Sequence, residues 1–180
     1  MLKIAIVGNI ASGKSTVEEI IKSNGYKVFD TDKIAHKILE TNAQIEKLFG
    51  TTNRAELAKI VFLDSEKLKK LESIIHPEVK NELEKIFNLE EKFVFISVPQ
   101  LFEAGFETLF DKIIYVTAKE SIRKERLIKR NNYTPEEAQR RIDAQKEDGK
   151  KEKSDFIIDN NNSILELTEQ VNNILSILLR

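Results

Sequence analysis

Short apolar runs alternate along this chain with longer segments in which apolar residues recur every three or four positions. Three runs rich in β-branched and aromatic residues indicate buried strands at Leu2–Val7, Phe93–Val98 and Lys112–Val116. Two shorter runs, Tyr26–Phe29 and Phe156–Ile158, complete a set of five. Strands separated by helical sequence predict an α/β fold, in which a parallel sheet carries helices on both faces.

The segments between these runs have the spacing of amphipathic helices. We predict helices at Lys14–Ser23, Lys119–Arg130 and Ser163–Leu179. An asparagine-rich turn at residues 131–135 predicts a further helix that ends near Gln145.

The stretch from residue 32 to residue 88 is helical in pattern throughout, and no strand is predicted there. Pro77 should interrupt this pattern, because proline lacks a backbone N–H and disfavours helical geometry in the residue before it. We therefore expect an extended His76 and a new helix that begins at Pro77.

Composition places the chain among globular proteins and excludes several classes of function. The 180 residues are 41% hydrophobic and 33% charged, with a formal net charge of −1, so no whole-chain signal favours nucleic acid. The absence of cysteine excludes disulfides and thiolate metal sites. No apolar run is long enough to span a membrane, and the first residues lack the pattern of a signal peptide. We expect a cytoplasmic protein without a membrane or nucleic-acid partner, and the sequence does not indicate its oligomeric state.

The segment Gly8–Ser15 reads G-x-x-x-x-G-K-S and lies between a predicted strand and a predicted helix, which is the context that a phosphate-binding loop requires. Its glycines let successive N–H groups turn towards a phosphate, and the helix N-terminus adds partial positive charge. Lys14 is expected to neutralise the β- and γ-phosphates of a nucleoside triphosphate during transfer, and Ser15 to ligate Mg²⁺. The nucleotide-binding residues predicted in this loop are Gly8, Ala11, Ser12, Gly13, Lys14, Ser15 and Thr16. The alternative is a chance glycine turn followed by an exposed lysine.

The rest of the chain favours a small-molecule kinase among proteins with this loop. The guanine-reading motif N-K-x-D is absent, and the strand at 93–96 leads to Ser97 without an acid before Glu103. We predict a single P-loop kinase domain over residues 1–180. It consists of a core (1–31, 89–118 and 154–180), a helical acceptor-binding insertion (32–88) and a basic lid region (119–153).

Several short motifs, in this order along the chain, resemble those of dephospho-CoA kinase. They are Gly8–Thr16, Val28–Asp32, Ile75–Pro77, Val98–Glu103, Arg141–Gln145 and Asp155–Asn160. The resemblance covers residues 1 to about 162. It implies a P-loop kinase of the nucleoside-monophosphate-kinase-like type that uses ATP and Mg²⁺ to phosphorylate the ribose 3′-hydroxyl of dephospho-CoA, giving CoA and ADP.

The resemblance also implies roles for residues in the helical insertion. Asp32 would approach the acceptor hydroxyl and help to remove its proton, as a carboxylate in that place can. Arg54 and His76 would contact the acceptor. The alternatives are that Asp32 caps a helix beginning at Lys33, that His76 holds a helix–helix corner, and that Arg54 is an ordinary surface residue.

Basic residues outnumber acidic ones in the lid region, and Arg123, Arg126 and Arg130 share one helix face. We assign Arg130 to nucleotide binding and Arg141 to catalysis, because triphosphate in transfer needs several cations. Surface ion pairs are the alternative. The loop that contains Asn160 is expected to bind the nucleotide at its adenine, or else to cap the last helix.

Two residues depart from the family pattern. Members usually carry an acid two residues before the proline and leucine after it, where this chain has Ser97 and Gln100. Mg²⁺ would then depend on Ser15, phosphate oxygens, water and Asp30 or Asp32. Two other functions stay open: a kinase for nucleoside monophosphates, and a nucleotide-dependent regulatory module without an acceptor.

Overall fold

Five strands form one sheet in the order β2-β3-β1-β4-β5. They are β1 (Leu2–Gly8), β2 (Val28–Asp30), β3 (Phe93–Ser97), β4 (Lys112–Thr117) and β5 (Phe156–Asp159). The central strand β1 pairs in parallel with both β3 and β4, and β4 pairs in parallel with β5. The predicted fold, a five-stranded parallel sheet flanked by helices, is confirmed. The second strand begins two residues later than predicted and includes Asp30.

The structure is a computed structural model that describes residues 1–61, 64–145 and 149–179. This part of the chain also contains eight α-helices. They are α1 (Lys14–Ser23), α2 (Thr31–Thr41), α3 (Ala43–Phe49), α4 (Arg54–Val61), α5 (Ser65–Phe87), α6 (Glu120–Asn131), α7 (Pro135–Asp143) and α8 (Ile164–Leu178). No helix among the described residues is long and apolar enough to cross a membrane.

The chain divides into two compact units. We call them the α/β unit, formed by Met1–Phe29 and Lys92–Arg180, and the helical unit, formed by Asp30–Glu91. The assignment of residues 32–88 to acceptor binding and of residues 119–153 to a lid stays a prediction.

The α/β unit has its core between the sheet and two helices, α1 and α8. Side chains from β1, α1 and α8 meet in this core and are buried: Ile4, Ile6, Val17, Ile21, Leu167 and Val171. Full burial of each such side chain contributes about 1.5–3 kcal/mol. This packing fixes the direction in which α1 leaves the carboxyl end of β1, where the glycine-rich loop lies.

The helical unit has a small core of its own and defined helix starts. Four of its helices contribute the buried apolar residues Leu39, Ile45, Leu57, Val61 and Leu71. Side-chain oxygens of Asp30, Asn42 and Asp64 accept backbone N–H groups in the first turns of α2, α3 and α5. The pKa of the Asp64 carboxyl is lowered, chiefly because the backbone N–H of Lys67 donates to it.

The predicted helix break at Pro77 is wrong, because α5 runs without interruption through His76 and Pro77. A proline inside a helix costs about 3 kcal/mol, since a hydrogen bond is lost and the ring crowds the preceding turn. The apolar residues Leu71, Val79 and Leu83, on both sides of the proline, are buried, and α5 contacts α2 and α4. Burial at about 1.5–3 kcal/mol for each side chain exceeds the cost of the proline.

Replacing this proline should stabilise the helical unit. In Pro77→Ala, we expect the free energy of unfolding to rise by about 1–3 kcal/mol, because alanine suits a helix interior and the exposed ring of Pro77 leaves no buried gap. Urea denaturation of the full chain, followed by far-UV circular dichroism, measures this change. The exposed Lys80→Ala on the same helix is the control and should shift stability by less than about 0.5 kcal/mol. A less stable Pro77→Ala protein would contradict the explanation.

Candidate functional site

The loop that joins β1 to α1 holds an unusual backbone conformation. Ala11 and Gly13 both have positive φ angles, 59° and 96°. A left-handed backbone is uncommon for alanine and carries strain that the surrounding structure must offset. The N–H of Ser12 donates to the carbonyl of Asn9 at 3.0 Å and closes a turn within the loop. The loop therefore has a defined conformation that depends on contacts with the surrounding structure.

Two glycines of the loop lie where no side chain fits. A Cβ at Gly13 would lie 1.9 Å from Nδ2 of Asn160, and a Cβ at Gly8 would lie 2.6 Å from the carbonyl oxygen of Val116. Both distances are far below an ordinary van der Waals contact. The spacing of glycines in the predicted motif thus reflects close approach of the loop to β4 and to the segment after β5.

Arg126 and Asn160 together hold the loop, and we call this pair the loop brace. The guanidinium of Arg126, on α6, donates to the carbonyls of Ala11 at 3.2 Å, Ser12 at 3.1 Å and Asn160 at 3.0 Å. Nδ2 of the buried Asn160 donates to the carbonyl of Ser12 at 2.8 Å. The brace takes up loop carbonyls and uses no N–H group of the loop, the kind of donor that binds an anion in such loops.

The beginning of α1 suits a bound anion. Gly13 is its N-cap and supplies no side-chain hydrogen bond, and no acidic residue lies in the first turn. An uncapped helix N-terminus attracts negative charge through its N–H groups and the helix dipole. Ser15 is exposed on this first turn and Thr16 is half-buried. The structure therefore brings together the loop residues that the sequence predicted for phosphate binding.

Lys14 lies between an acid and a hydroxyl. Its Nζ donates to Oε1 of Glu18 at 2.8 Å and to Oγ of Ser97, which is buried at the end of β3. Sequence reasoning noted Ser97 only as a missing acid and overlooked Glu18. The four-residue spacing from Lys14 to Glu18 places both side chains on one face of α1, and this spacing could have predicted the pair.

The residues of this site fit a magnesium ion that binds together with a nucleotide. Mg²⁺ usually keeps several waters and takes one or two protein oxygens plus phosphate oxygens. The exposed hydroxyl of Ser15, beside the open start of α1, is such a protein oxygen. Within the described residues, no group of three or more His, Asp or Glu side chains could hold a metal by itself.

The two arginines predicted in the lid region are both exposed. Nε of Arg130 donates to Oδ1 of Asn131 at 3.0 Å, and the guanidinium of Arg141 lies 5.5 Å from the ring centre of Tyr133. Their roles in phosphate transfer stay predictions. Arg126 on α6 donates hydrogen bonds to the loop, a role that the shared helix face alone did not indicate.

A contact from beyond α7 also reaches the loop. Oε1 of Gln145 accepts the backbone N–H of Ile10 at 2.6 Å. The packing of α6 on α7 is apolar and buries Leu127, Ala138 and Ile142. The segment that was predicted to form a lid is therefore tied to the loop through Arg126 on α6 and through Gln145, just beyond α7.

The residues predicted to bind the acceptor belong to three helices of the helical unit. Asp32 is exposed in the first turn of α2, Arg54 is exposed at the start of α4, and His76 is half-buried within α5. The alternative that Asp32 caps its helix is wrong, because Asp30 is the N-cap and its Oδ1 accepts the N–H of Asp32 at 2.9 Å. The roles of Asp32, Arg54 and His76 in binding stay predictions.

Known proteins of one family are similar to this chain over almost its whole length. The family model for dephospho-CoA kinase matches residues 2–166. A relative from Listeria innocua, named dephospho-CoA kinase, is 42% identical over 185 aligned positions, which cover 93% of this chain and 92% of that protein. A relative of the same name from Helicobacter pylori is 36% identical and covers 98% of this chain and 97% of its own.

Solved structures give the same result. The crystal structure of TT1252 from Thermus thermophilus superposes with a TM-score of 0.89 at 35% identity, covering 99% of this chain and 98% of that one. Dephospho-CoA kinase from Campylobacter jejuni superposes with a TM-score of 0.74 at 33% identity, covering 97% and 95%. Shikimate kinase from Bacteroides thetaiotaomicron, at 14% identity and a TM-score of 0.61, shares the fold. The chain belongs to the dephospho-CoA kinase family.

Proposed function

We propose that this protein transfers the γ-phosphoryl group of ATP to the ribose 3′-hydroxyl of dephospho-CoA, giving CoA and ADP as the last step of CoA synthesis. The observation that carries this proposal is the match to dephospho-CoA kinases over 93% of the chain at 42% identity. The braced loop and the open start of α1 support the donor half of the reaction. A cytoplasmic location stays a prediction of the sequence.

The donor phosphates would lie in the loop Gly8–Thr16, with backbone N–H groups as donors to their oxygens. Lys14 would offset the negative charge that moves from the γ- to the β-phosphate, and Arg130 and Arg141 would add positive charge from the lid region. Ser15 would hold Mg²⁺, which supplies charge neutralisation between the phosphates when bound.

The acceptor half depends on the helical unit. The ribose 3′-oxygen would attack the γ-phosphorus while the bond to the β–γ bridging oxygen breaks, and its proton would pass to the carboxylate of Asp32. Asp30 already caps α2, so the cap does not require the Asp32 carboxylate. Arg54 would pair with an acceptor phosphate and His76 would donate a hydrogen bond to the acceptor.

An acceptor screen tests the proposal directly. Purified protein is given ATP, Mg²⁺ and either dephospho-CoA or one of the nucleoside monophosphates, and ADP release is followed by a coupled assay. We expect turnover with dephospho-CoA alone. Turnover only with a nucleoside monophosphate would replace this function by that of another small kinase. Slow ATP hydrolysis that no acceptor changes would instead favour a regulatory module.

The crowding at Gly13 predicts a specific loss of ATP binding. In Gly13→Ala the new Cβ would meet Nδ2 of Asn160 at 1.9 Å and push the brace from the loop. We expect ATP affinity, measured by titration calorimetry, to fall at least about tenfold, which corresponds to about 1.4 kcal/mol or one to two hydrogen bonds.

Gly25→Ala is the matched control for this variant. Gly25 has a similar φ of +86°, but nothing lies within 4 Å of the point that a Cβ would occupy there. Both variants carry the cost of a left-handed alanine, about 1–2 kcal/mol, and only Gly13→Ala adds a collision. Equal ATP affinities in the two variants would show that the collision has no effect on the site.

The role of Asp32 predicts a loss of rate without a loss of ATP binding. In Asp32→Asn, which keeps the size of the side chain, we expect kcat with dephospho-CoA to fall by about 10²–10⁴, because a proton acceptor is removed. ATP affinity should change little. Asp64→Asn makes the same chemical change at a helix cap of the same unit and should keep the original kcat. Near-normal turnover of Asp32→Asn would exclude Asp32 from proton transfer.

A further inference from the structure

The ammonium group of Lys14 is held by the protein in a defined direction. Nζ donates to Oε1 of Glu18 at 2.8 Å and to the hydroxyl of Ser97. The side chains of Lys14 and Glu18 are only 19% and 10% exposed, so water screens their charges weakly. An ammonium has three N–H donors, and these contacts use two of them.

The position of Glu18 has no good explanation in helix stability. A lysine four residues before a glutamate is the less favourable order of such a pair in a helix. Glu18 also lies on the buried side of α1 with Val17, Ile20 and Ile21, where an apolar side chain would gain more from burial. A buried carboxylate is tolerated only when a positive group pairs with it. The ion pair with Lys14, rather than the stability of α1, therefore explains a glutamate at position 18.

We propose that Glu18 is a positioning residue for Lys14, and that it directs the lysine amine towards the transferring phosphate of the nucleotide. This inference rests on the proposed function. Glu18 and Ser97 hold two N–H groups of Lys14, and the third is directed to a phosphate oxygen. Because Ser97 is neutral, the three side chains together carry no net charge, whereas two carboxylates at this point would repel a triphosphate.

One consequence separates this role from simple packing. Both Glu18 and Ser97 contact the same atom, Nζ of Lys14, from α1 and from the end of β3. A single carboxylate, at position 18 or at position 97, should therefore be enough to hold Nζ of Lys14. Glu18→Ala should impair the enzyme, and the added change Ser97→Asp should restore it by returning one carboxylate to the lysine.

The experiment measures kcat and KM for ATP, with dephospho-CoA as acceptor, in four variants. They are Glu18→Gln, Glu18→Ala, Glu18→Ala with Ser97→Asp, and the control Glu19→Gln. We expect kcat to fall about 10–100-fold in both single Glu18 variants, with KM changed less than about threefold, because a misplaced lysine loses transition-state stabilisation more than ground-state binding. The double variant should recover to within about fivefold of the original kcat. Glu19 is exposed and pairs with Lys22 at 2.6 Å, so its variant should behave as the unaltered protein.

The slow hydrolysis of ATP by water, measured without any acceptor, separates this inference from the proposed function. Lys14 acts on the donor, so Glu18→Gln should slow this hydrolysis by a similar factor whichever acceptor the enzyme uses. Absence of turnover with dephospho-CoA in the unaltered protein would overturn the proposed function, and the hydrolysis rates would still decide the role of Glu18.

Two results would overturn the role of Glu18. The first is an unchanged rate in Glu18→Gln. The second is a folded double variant that is no faster than Glu18→Ala, since the carboxylate would then not act through Lys14. Thermal unfolding of each variant establishes that it is folded. If the double variant does not fold, Glu18→Gln alone decides, because its side chain keeps the shape of glutamate.

Discussion

The hydrogen bonds from Arg126 and Asn160 to the carbonyls of the glycine-rich loop are the constraint on which the donor site depends. The loop contains Ala11 in a left-handed conformation and Gly13 in close contact with Asn160, so it would not hold this shape by local preference. The brace takes up the carbonyls of Ala11 and Ser12. It uses no N–H group of the loop, and the uncapped start of α1 is available to bind phosphate.

The packing of the α/β unit sets the geometry in which the brace can act. The core between the sheet, α1 and α8 fixes where α1 begins, and the parallel pairing of β1, β4 and β5 brings the ends of these strands to one edge. Ligands of such sheets bind beyond the carboxyl ends of their strands. Asn160 comes directly after β5 and Arg126 lies on α6, which follows β4. The same edge carries Ser97 and, through it, the contact to Lys14.

The sequence predicted those parts of the structure that depend on residues close together along the chain. The strand, the loop and α1 lie within the first 23 residues, and their hydrophobic pattern and glycine spacing were sufficient. The break at Pro77 was wrong because burial of Leu71, Val79 and Leu83 outweighs a local preference. The bracing roles of Arg126 and Asn160 were missed because they act on residues 114 and 148 positions away. Spacing along α6 shows a shared face, but only the tertiary structure shows which arginine reaches the loop.

Hydrogen–deuterium exchange of residues 8–16 in the nucleotide-free protein tests the brace most directly. Arg126→Ala removes the hydrogen bonds to Ala11 and Ser12, whereas Arg130→Ala on the same helix removes a hydrogen bond to Asn131. Bracing of the loop by Arg126 predicts faster exchange of this segment in Arg126→Ala, by about tenfold for each 1.4 kcal/mol of lost stabilisation, and unchanged exchange in Arg130→Ala. The same exchange rate in Arg126→Ala and in the unaltered protein would contradict it.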